Sequence, residues 1–521
     1  MHMPPPERHL PDDQSDAYAF LDAKARAEPG SRRIDTHANT VFLIGRDAYK
    51  MKRAVRFPFL DYSALSLRRR AVTAELARNR LFAPELYPGE SAVMRRADGT
   101  LALGGEGELV EPLVHMRRFD ESATLDHVAA EGPLPQGLVS ALAKTFAAAH
   151  AAAPVRDAAE WLAGLSSYAV QNEAAFRAAP ELFPSYEVEA LVAATRAALA
   201  RIQGLVLQRG CKGLVRLAHG DAHLANVVLI DGEPVLFDAV EFDDGIATGD
   251  VLYDLGFALM DLIERGQTPA ACHLLNRYLD LTQLPEMGEG LAALPLYISM
   301  RAAIRAKIAA ASIANQQDAA LAEAQREAAR AYFALACRAL EPVTPRLIAI
   351  GGLSGTGKST LAGVLAPHLL PLPGARVLRS DVLRKRMLGL SETCPAPASA
   401  YTQEASDEVY AAMMAEARAA LAAGHSVILD AVHARPGERQ AMADLAAVME
   451  LPFTGLWLEA EEATLKARVS ARKGDASDAT VEVVSRQLAY DLGPVDWQVI
   501  GAGAALEDTL AAALEALGSE P

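Results

Sequence analysis

Leu347-Ile-Ala-Ile350 runs straight into Gly351-Gly352-Leu353-Ser354-Gly355-Thr356-Gly357-Lys358-Ser359-Thr360, and an Ala/Leu-rich helical pattern begins at once. Strand, glycine loop and helix in immediate succession leave few ways to fold. Glycines let the backbone N–H groups from Gly352 to Gly357 turn inward on a phosphate, and the helix start, with Ser359 and Thr360, adds its partial positive charge. In such a loop Lys358 reaches the β/γ oxygens and the Ser359 hydroxyl suits Mg²⁺. The pattern is a P-loop, and it predicts ATP and Mg²⁺ as ligands.

The motif also sets boundaries. A P-loop sits on the first strand of its α/β domain, so a parallel-sheet module flanked by helices is expected over 346–521, preceded by a Pro-rich linker at 341–345. The remaining 340 or so residues need a fold of their own. With 51% hydrophobic and 22% charged residues the chain can bury real cores. A net charge of −16 argues against nucleic acid, because such partners call for a basic face. The four cysteines, Cys211, Cys272, Cys337 and Cys394, form no C-x-x-C pair, which fits a reduced, cytoplasmic setting. The opening MHMPPPERHLPDDQSD reads as a disordered or loosely packed lead-in over 1–30 rather than a signal peptide. Apolar stretches such as Phe146 to Val155 fall short of a membrane span.

Between 31 and about 118 the pattern is a small sheet with one helix. Strands TVFLI and AYKMKRAV flank a turn at Gly45-Arg46-Asp47, Lys50 and Lys52 share one face of the second strand, and the helix near Ser66 to Leu81 carries Glu75. From about 119 to 340 the chain is mostly helical. Within it stands Leu217-Ala-His219-Gly220-Asp221-Ala-His223-Leu-Ala-Asn226, followed by two short apolar strands around Asp231-Gly232 and then Asp238. A hairpin there gathers Asp221, Asn226 and Asp238 at one end, which is what phosphoryl transfer uses: a carboxylate for the acceptor proton, and an Asn and a second carboxylate for Mg²⁺.

The run HGDAHLAN resembles the H-G-D-x-H-x-x-N signature of aminoglycoside phosphotransferase-like kinases, a branch of the protein-kinase-like fold that includes choline kinases. The resemblance implies a two-lobed α+β domain over 31–340, with Asp221 as catalytic base, His219 shaping the loop, and Asn226 and Asp238 as magnesium ligands. It further implies Lys50 on the ATP phosphates, paired with Glu75, with Lys52 as the substitute. No G-x-G-x-x-G covers the phosphates, so that task is assigned to Thr36–Thr40. Asp250 reads as a helix cap and Asp254 as a structural hydrogen-bonding group, while Arg301, Arg305 and Lys307 read as a solvated basic helix face.

The C-terminal module is similar to small P-loop kinases of the group that contains polynucleotide kinase 5′-kinase domains, gluconate kinases and zeta-type toxins. Its Asp381 and Arg384 match their D-x-x-R, which implies an acceptor base and an arginine that steadies acceptor or phosphate. Arg468 and Arg472 fall where lid arginines lie, and Asp430 would serve magnesium or the acceptor. Arg379, Arg384, Lys385 and Arg386 crowd one strand end, as a small phosphorylated or acidic acceptor would require. The whole arrangement resembles bacterial fusions of an aminoglycoside phosphotransferase-like domain with an AAA-type ATP-binding domain. The expectation is a bifunctional ATP:alcohol phosphotransferase acting on a small hydroxylated metabolite, of unassigned oligomeric state. The alternative is that one module is a nucleotide-binding regulator or toxin-like effector.

Overall fold

A computed structural model describes residues 12–57, 60–282, 284, 286–314, 316–472, 474–503 and 505–518. Packing divides them into two compact units, one from Met1–Gly132, Ala148–Gly164 and Gly213–Asp254, the other from Pro133–Ala147, Leu165–Lys212 and Leu255–Pro521. The division does not fall at 341–345.

In the first unit, strands β1 (Arg32–Asp35), β2 (Asn39–Ile44) and β3 (Asp47–Lys52) are followed by a ribbon of β4 (Arg56–Phe57) and β5 (Leu60–Asp61), then β6 (Gly89–Arg95), β7 (Leu101–Leu103) and β8 (Glu108–Arg117). Six of them form an antiparallel sheet in the order β1-β2-β3-β8-β6-β7. The helix Leu65–Asn79 lies against β8 and faces inward through Val72, Glu75 and Leu76. The lead-in expectation is corrected for the described residues. Ser15–Ala27 is a helix whose Ala17 and Leu21, one turn apart, are buried with Phe42, Met51 and Leu113. Gln14 ties its start to the end of β3, donating to the Lys52 carbonyl at 2.8 Å and accepting from the Ala54 N–H at 2.7 Å. Residues 1–11 lie outside the described residues.

Four short strands complete this unit: β9 (Val215–Leu217), β10 (Val227–Ile230), β11 (Glu233–Leu236) and β12 (Thr248–Asp250). β10 and β11 pair antiparallel across Asp231-Gly232, whose φ values of 52° and 84° are those of a tight hairpin turn.

The second unit holds a five-stranded parallel sheet of β13 (Leu347–Gly351), β14 (Arg376–Arg379), β15 (Val427–Asp430), β16 (Phe453–Glu459) and β17 (Gln498–Gly501), in the order β14-β15-β13-β16-β17. Ile348, Ile350, Ile428, Leu456 and Leu458 make its core with Leu361 and Leu365 of the following helix. Cys272, from the helix Thr268–Thr282, joins the same core. That helix also covers the outer edge of β14. The Asn276 carboxamide donates to the Ala375 carbonyl at 3.0 Å and accepts from the Val377 N–H at 2.8 Å, and buried Arg376 pairs with Asp280 at 2.6 Å. Helices Leu294–Ile313 and Ala319–Ala339 pack together nearby in sequence. Arg301 is buried with its guanidinium 4.5 Å from the Phe257 ring, and Arg305 lies 5.5 Å from the Tyr332 ring. Burial lowers the Lys307 pKa. In place of the expected solvated basic face, Arg301 and Arg305 pack on aromatic rings and Lys307 is partly buried.

Ser185–Cys211 is, among the described residues, the one helix long and apolar enough to cross a membrane. Its Val188, Leu191, Ala198, Ile202 and Val206 are buried within the protein.

Candidate active sites

The front site is built on β3 and the helix behind it. Successive strand residues alternate faces, so Lys50 and Lys52 both point inward to the same carboxylate. Lys50 Nζ lies 2.8 Å from Glu75 Oε1, and Lys52 Nζ lies 2.5 Å from Glu75 Oε2. Each lysine then reaches a different acid: Lys50 to Asp238 at 2.6 Å, Lys52 to Glu241 at 2.6 Å. Burial opposes the charge on Lys50, yet Asp238 and Glu75 outweigh it and hold its ammonium well above the usual range. Burial likewise works against the Glu75 carboxylate, and the two lysines reverse the effect and hold its pKa down.

The catalytic-loop motif is held from below. The Asp254 carboxylate accepts from the His219 N–H at 3.3 Å and the Gly220 N–H at 2.8 Å, and His150 Nε2 lies 3.0 Å from it. Gly220 has φ +85°, and a Cβ there would meet Ala247 Cα at 2.8 Å, so no other residue fits. The His219 ring meets the Phe237 carbonyl at 2.9 Å through Nε2, while burial lowers its pKa and keeps it neutral. Asn226 donates through Nδ2 to the Asp221 carbonyl at 2.9 Å and to Asp221 Oδ2 at 3.2 Å, and His223 lies 3.4 Å from the same oxygen. The donor end of the Asn226 amide is thereby spent on Asp221.

After β11 the backbone turns sharply at Asp238, whose φ of +59° is uncommon for a residue with a side chain. Two contacts hold the turn. The Asp238 N–H donates to the Tyr87 hydroxyl at 3.1 Å, and the Ala239 N–H to Asn79 Oδ1 at 2.8 Å. Asp221 and Asp238 keep 40% and 46% of their side-chain surface exposed, while Glu75 keeps none. The buried acid holds both lysines, and the two half-exposed acids stand at the surface of the site. Thr36–Thr40 forms a closed turn, with the Thr36 carbonyl accepting from Arg53 at 2.5 Å. Asp250 accepts from the Leu252 N–H at 2.9 Å at a helix start.

The second site lies at the carboxyl ends of the parallel strands. Gly355 has φ +91°, and a Cβ there would meet the Leu465 carbonyl oxygen at 2.7 Å. Lys358 Nζ donates to the carbonyls of Gly352 and Leu353 at 2.8 and 3.0 Å, and Thr356 Oγ1 to Leu353 at 2.8 Å. Burial lowers the Lys358 pKa against the pull of Asp430 and Asp381. Ser359 Oγ donates to Asp430 Oδ2 at 2.5 Å. Hydroxyl and carboxylate oxygens are the hard donors Mg²⁺ takes beside phosphate and water. Arg468 Nη1 lies 3.5 Å from the Thr356 carbonyl, at the loop itself. Arg472 and Arg379 share Asp475 at 3.5 and 2.7 Å, and Arg379 Nε also lies 3.4 Å from Asp430. Asp381 is shifted upward, mainly by burial and against a hydrogen bond from Ser477, with Asp430 adding to the rise.

Two expectations need correction here. Arg384 is buried, donates to the Ala400 carbonyl and lies 4.8 Å from the Tyr401 ring, so it holds that loop instead of projecting toward an acceptor. The crowded cations are neutralised from within. Arg379 pairs with Asp430 and Asp475, Lys385 with Asp478 at 2.9 Å, and Arg386 with Glu416.

The model of the phosphotransferase enzyme family matches residues 32–293, half of the 521-residue chain. The chain belongs to that family. An AAA domain model matches residues 347–491. An uncharacterized protein of Mycobacterium tuberculosis is similar to this phosphotransferase, 28% identical over 483 residues, 88% of this chain and 90% of its own. Among solved structures, a choline/ethanolamine kinase family protein from Mesorhizobium loti aligns over 63% of this chain and 98% of its own at 16% identity, with a TM-score of 0.36. A gluconokinase from Sinorhizobium meliloti aligns over 34% and 94% at 20% identity, with a TM-score of 0.25. ATP-dependent phosphoryl transfer is the chemistry these family matches carry.

Several residues of the phosphotransferase site escaped the sequence reading. Asn79 and Tyr87 hold the Asp238 turn, and Gln487 Oε1 takes the Ser354 N–H at 2.7 Å. Asp475 binds two arginines. No local pattern marks Asn79, Tyr87 or Gln487, because each acts across a long sequence separation, and Asp475 meets Arg379 in the same way.

Proposed function

We propose that the chain carries two separate ATP sites, each transferring the γ-phosphoryl group to a hydroxyl of a small metabolite. The observation that carries this reading is the doubling of a complete set. Lys50 joined to Asp238, with Asn226 on Asp221, stands in one unit, and Lys358 with Ser359 on Asp430 stands in the other.

In the front site Asp221 accepts the acceptor proton, steadied by Asn226 and His223, while Lys50 binds the α/β phosphates and Glu75 holds it in place. Asn226 and Asp238 hold Mg²⁺. In the second site the N–H groups of Gly352 to Thr360 cradle phosphate, Asp381 takes the proton, and Arg468 and Arg472 offset the charge that develops on the transferred group. Mg²⁺, held there by Ser359 and Asp430, neutralises phosphate charge when bound. Among the described residues, the internal pairing of Arg379, Lys385 and Arg386 leaves these cations no open basic track, which supports a small acceptor over nucleic acid. The domain division by function is 31–340 and 346–521, and the protein works in solution in the cytoplasm.

Titration calorimetry of the full chain with a non-hydrolysable ATP analogue and Mg²⁺ tests the two-site reading. Two binding events are expected, with Lys358→Ala removing one and Asp238→Ala the other. A single event in the unmodified chain overturns it.

A further inference from the structure

The helical part of the second unit contains a cavity of about 190 Å³ that none of the phosphotransfer chemistry uses. Its wall is largely apolar, from Phe176, Leu191, Leu199, Met300 and Ala303. One residue in that wall is out of keeping. Asn172 is 4% exposed, and both Nδ2 and Oδ1 of its carboxamide are buried without a hydrogen-bond partner. Buried polar side chains are nearly always satisfied, and an orphaned amide signals a group that is completed by something else. One hydroxyl of the wall is engaged elsewhere, since Ser299 Oγ donates to the Ala336 carbonyl at 2.8 Å. At the mouth stand exposed Val170 and an ion pair of Arg196 with Glu173 at 2.7 Å, so the entrance charges cancel.

We infer that this cavity is a small-molecule site, distinct from the two phosphotransfer centres, for an uncharged flat apolar ligand that presents an amide edge to Asn172. The chemistry selects that class. A carboxamide offers one donor and one acceptor side by side, and a second amide answers both at once. A charged ligand would enter an apolar wall with no ionic partner, which is costly. The space admits a single substituted ring, since apolar cavities of about 150 Å³ take up benzene.

Benzamide is the probe, with acetophenone as its near-isostere lacking the N–H donor, and saturation-transfer NMR on the full chain gives the two affinities. Benzamide should bind at least tenfold more tightly than acetophenone. Asn172→Leu, which keeps shape and removes both polar atoms, should erase that preference and raise the melting temperature. Ala303→Leu fills the cavity from another helix, leaves Asn172 intact, and should abolish benzamide binding. Equal affinity for the two probes, absence of saturable benzamide binding, or a preference that survives in both variants overturns the inference. So does a lower melting temperature in Asn172→Leu, which would mean that solvent already satisfies the amide.

Discussion

Glu75 carries two ammonium groups at once, and this defines how the front site is wired. Each lysine makes one ion pair with the shared acid and one with an acid of its own, Asp238 or Glu241, so five side chains from three segments are tied together. Glu75→Gln would leave two buried lysines with half their compensation. Loss of a buried ionic partner costs roughly 3–5 kcal/mol, and urea unfolding should show a loss of that order. Asp221 is a different case, being exposed and not needed for packing. Asp221→Asn should keep Mg·ATP affinity in titration and slow acceptor-dependent ADP release by about 10²-fold. These differences were only partly legible. The run from His219 to Asn226 could be read because a catalytic loop needs its groups within a few residues of one another. The pairing of Lys52 with Glu241 spans 189 positions and follows only once β3 and the post-hairpin turn meet.

At the scale of elements, alternation and turn chemistry made the small sheet, the hairpin at Asp231-Gly232 and the parallel strands readable. The helix Ser15–Ala27 was not, because its inward face is only Ala17 and Leu21 and what fixes its start is Gln14 bonding to a strand 38 residues on. The parallel sheet carries a pH liability that burial creates. His425, just before β15, and His433, just after it, are both fully buried, which pushes their pKa values down to about 4 and about 3. The unfolded chain, near 6.5, binds protons between those limits that the folded chain refuses, so stability falls as pH falls below 6.5. Each histidine should cost roughly 2 kcal/mol at pH 5 relative to pH 7.5. Thermal melts of the full chain across that range should show the loss, and His425→Gln should remove about half of it.

For the whole molecule, the linker at 341–345 is a boundary in the covalent chain but not in the packing. The helix Thr268–Thr282 belongs by sequence to the phosphotransferase family match and by contact to the P-loop sheet. The sequence placed it only within a mostly helical stretch, 119–340. Nothing in its pattern told that Asn276 would stand in for a neighbouring strand. A fragment beginning at Arg346 would therefore lose Asp280 from buried Arg376 and the carboxamide from β14. An uncovered strand edge is adhesive, since its open N–H and C=O groups fit any other extended chain. Freed of its helix, the C-terminal module should self-associate through β14 in a concentration-dependent way, seen by sedimentation, and Val377→Lys should restore monomers. The carboxamide of Asn276 thus works as a stopper against fibre-like growth, and a chain that lost the front helices would lose solubility before it lost its nucleotide loop.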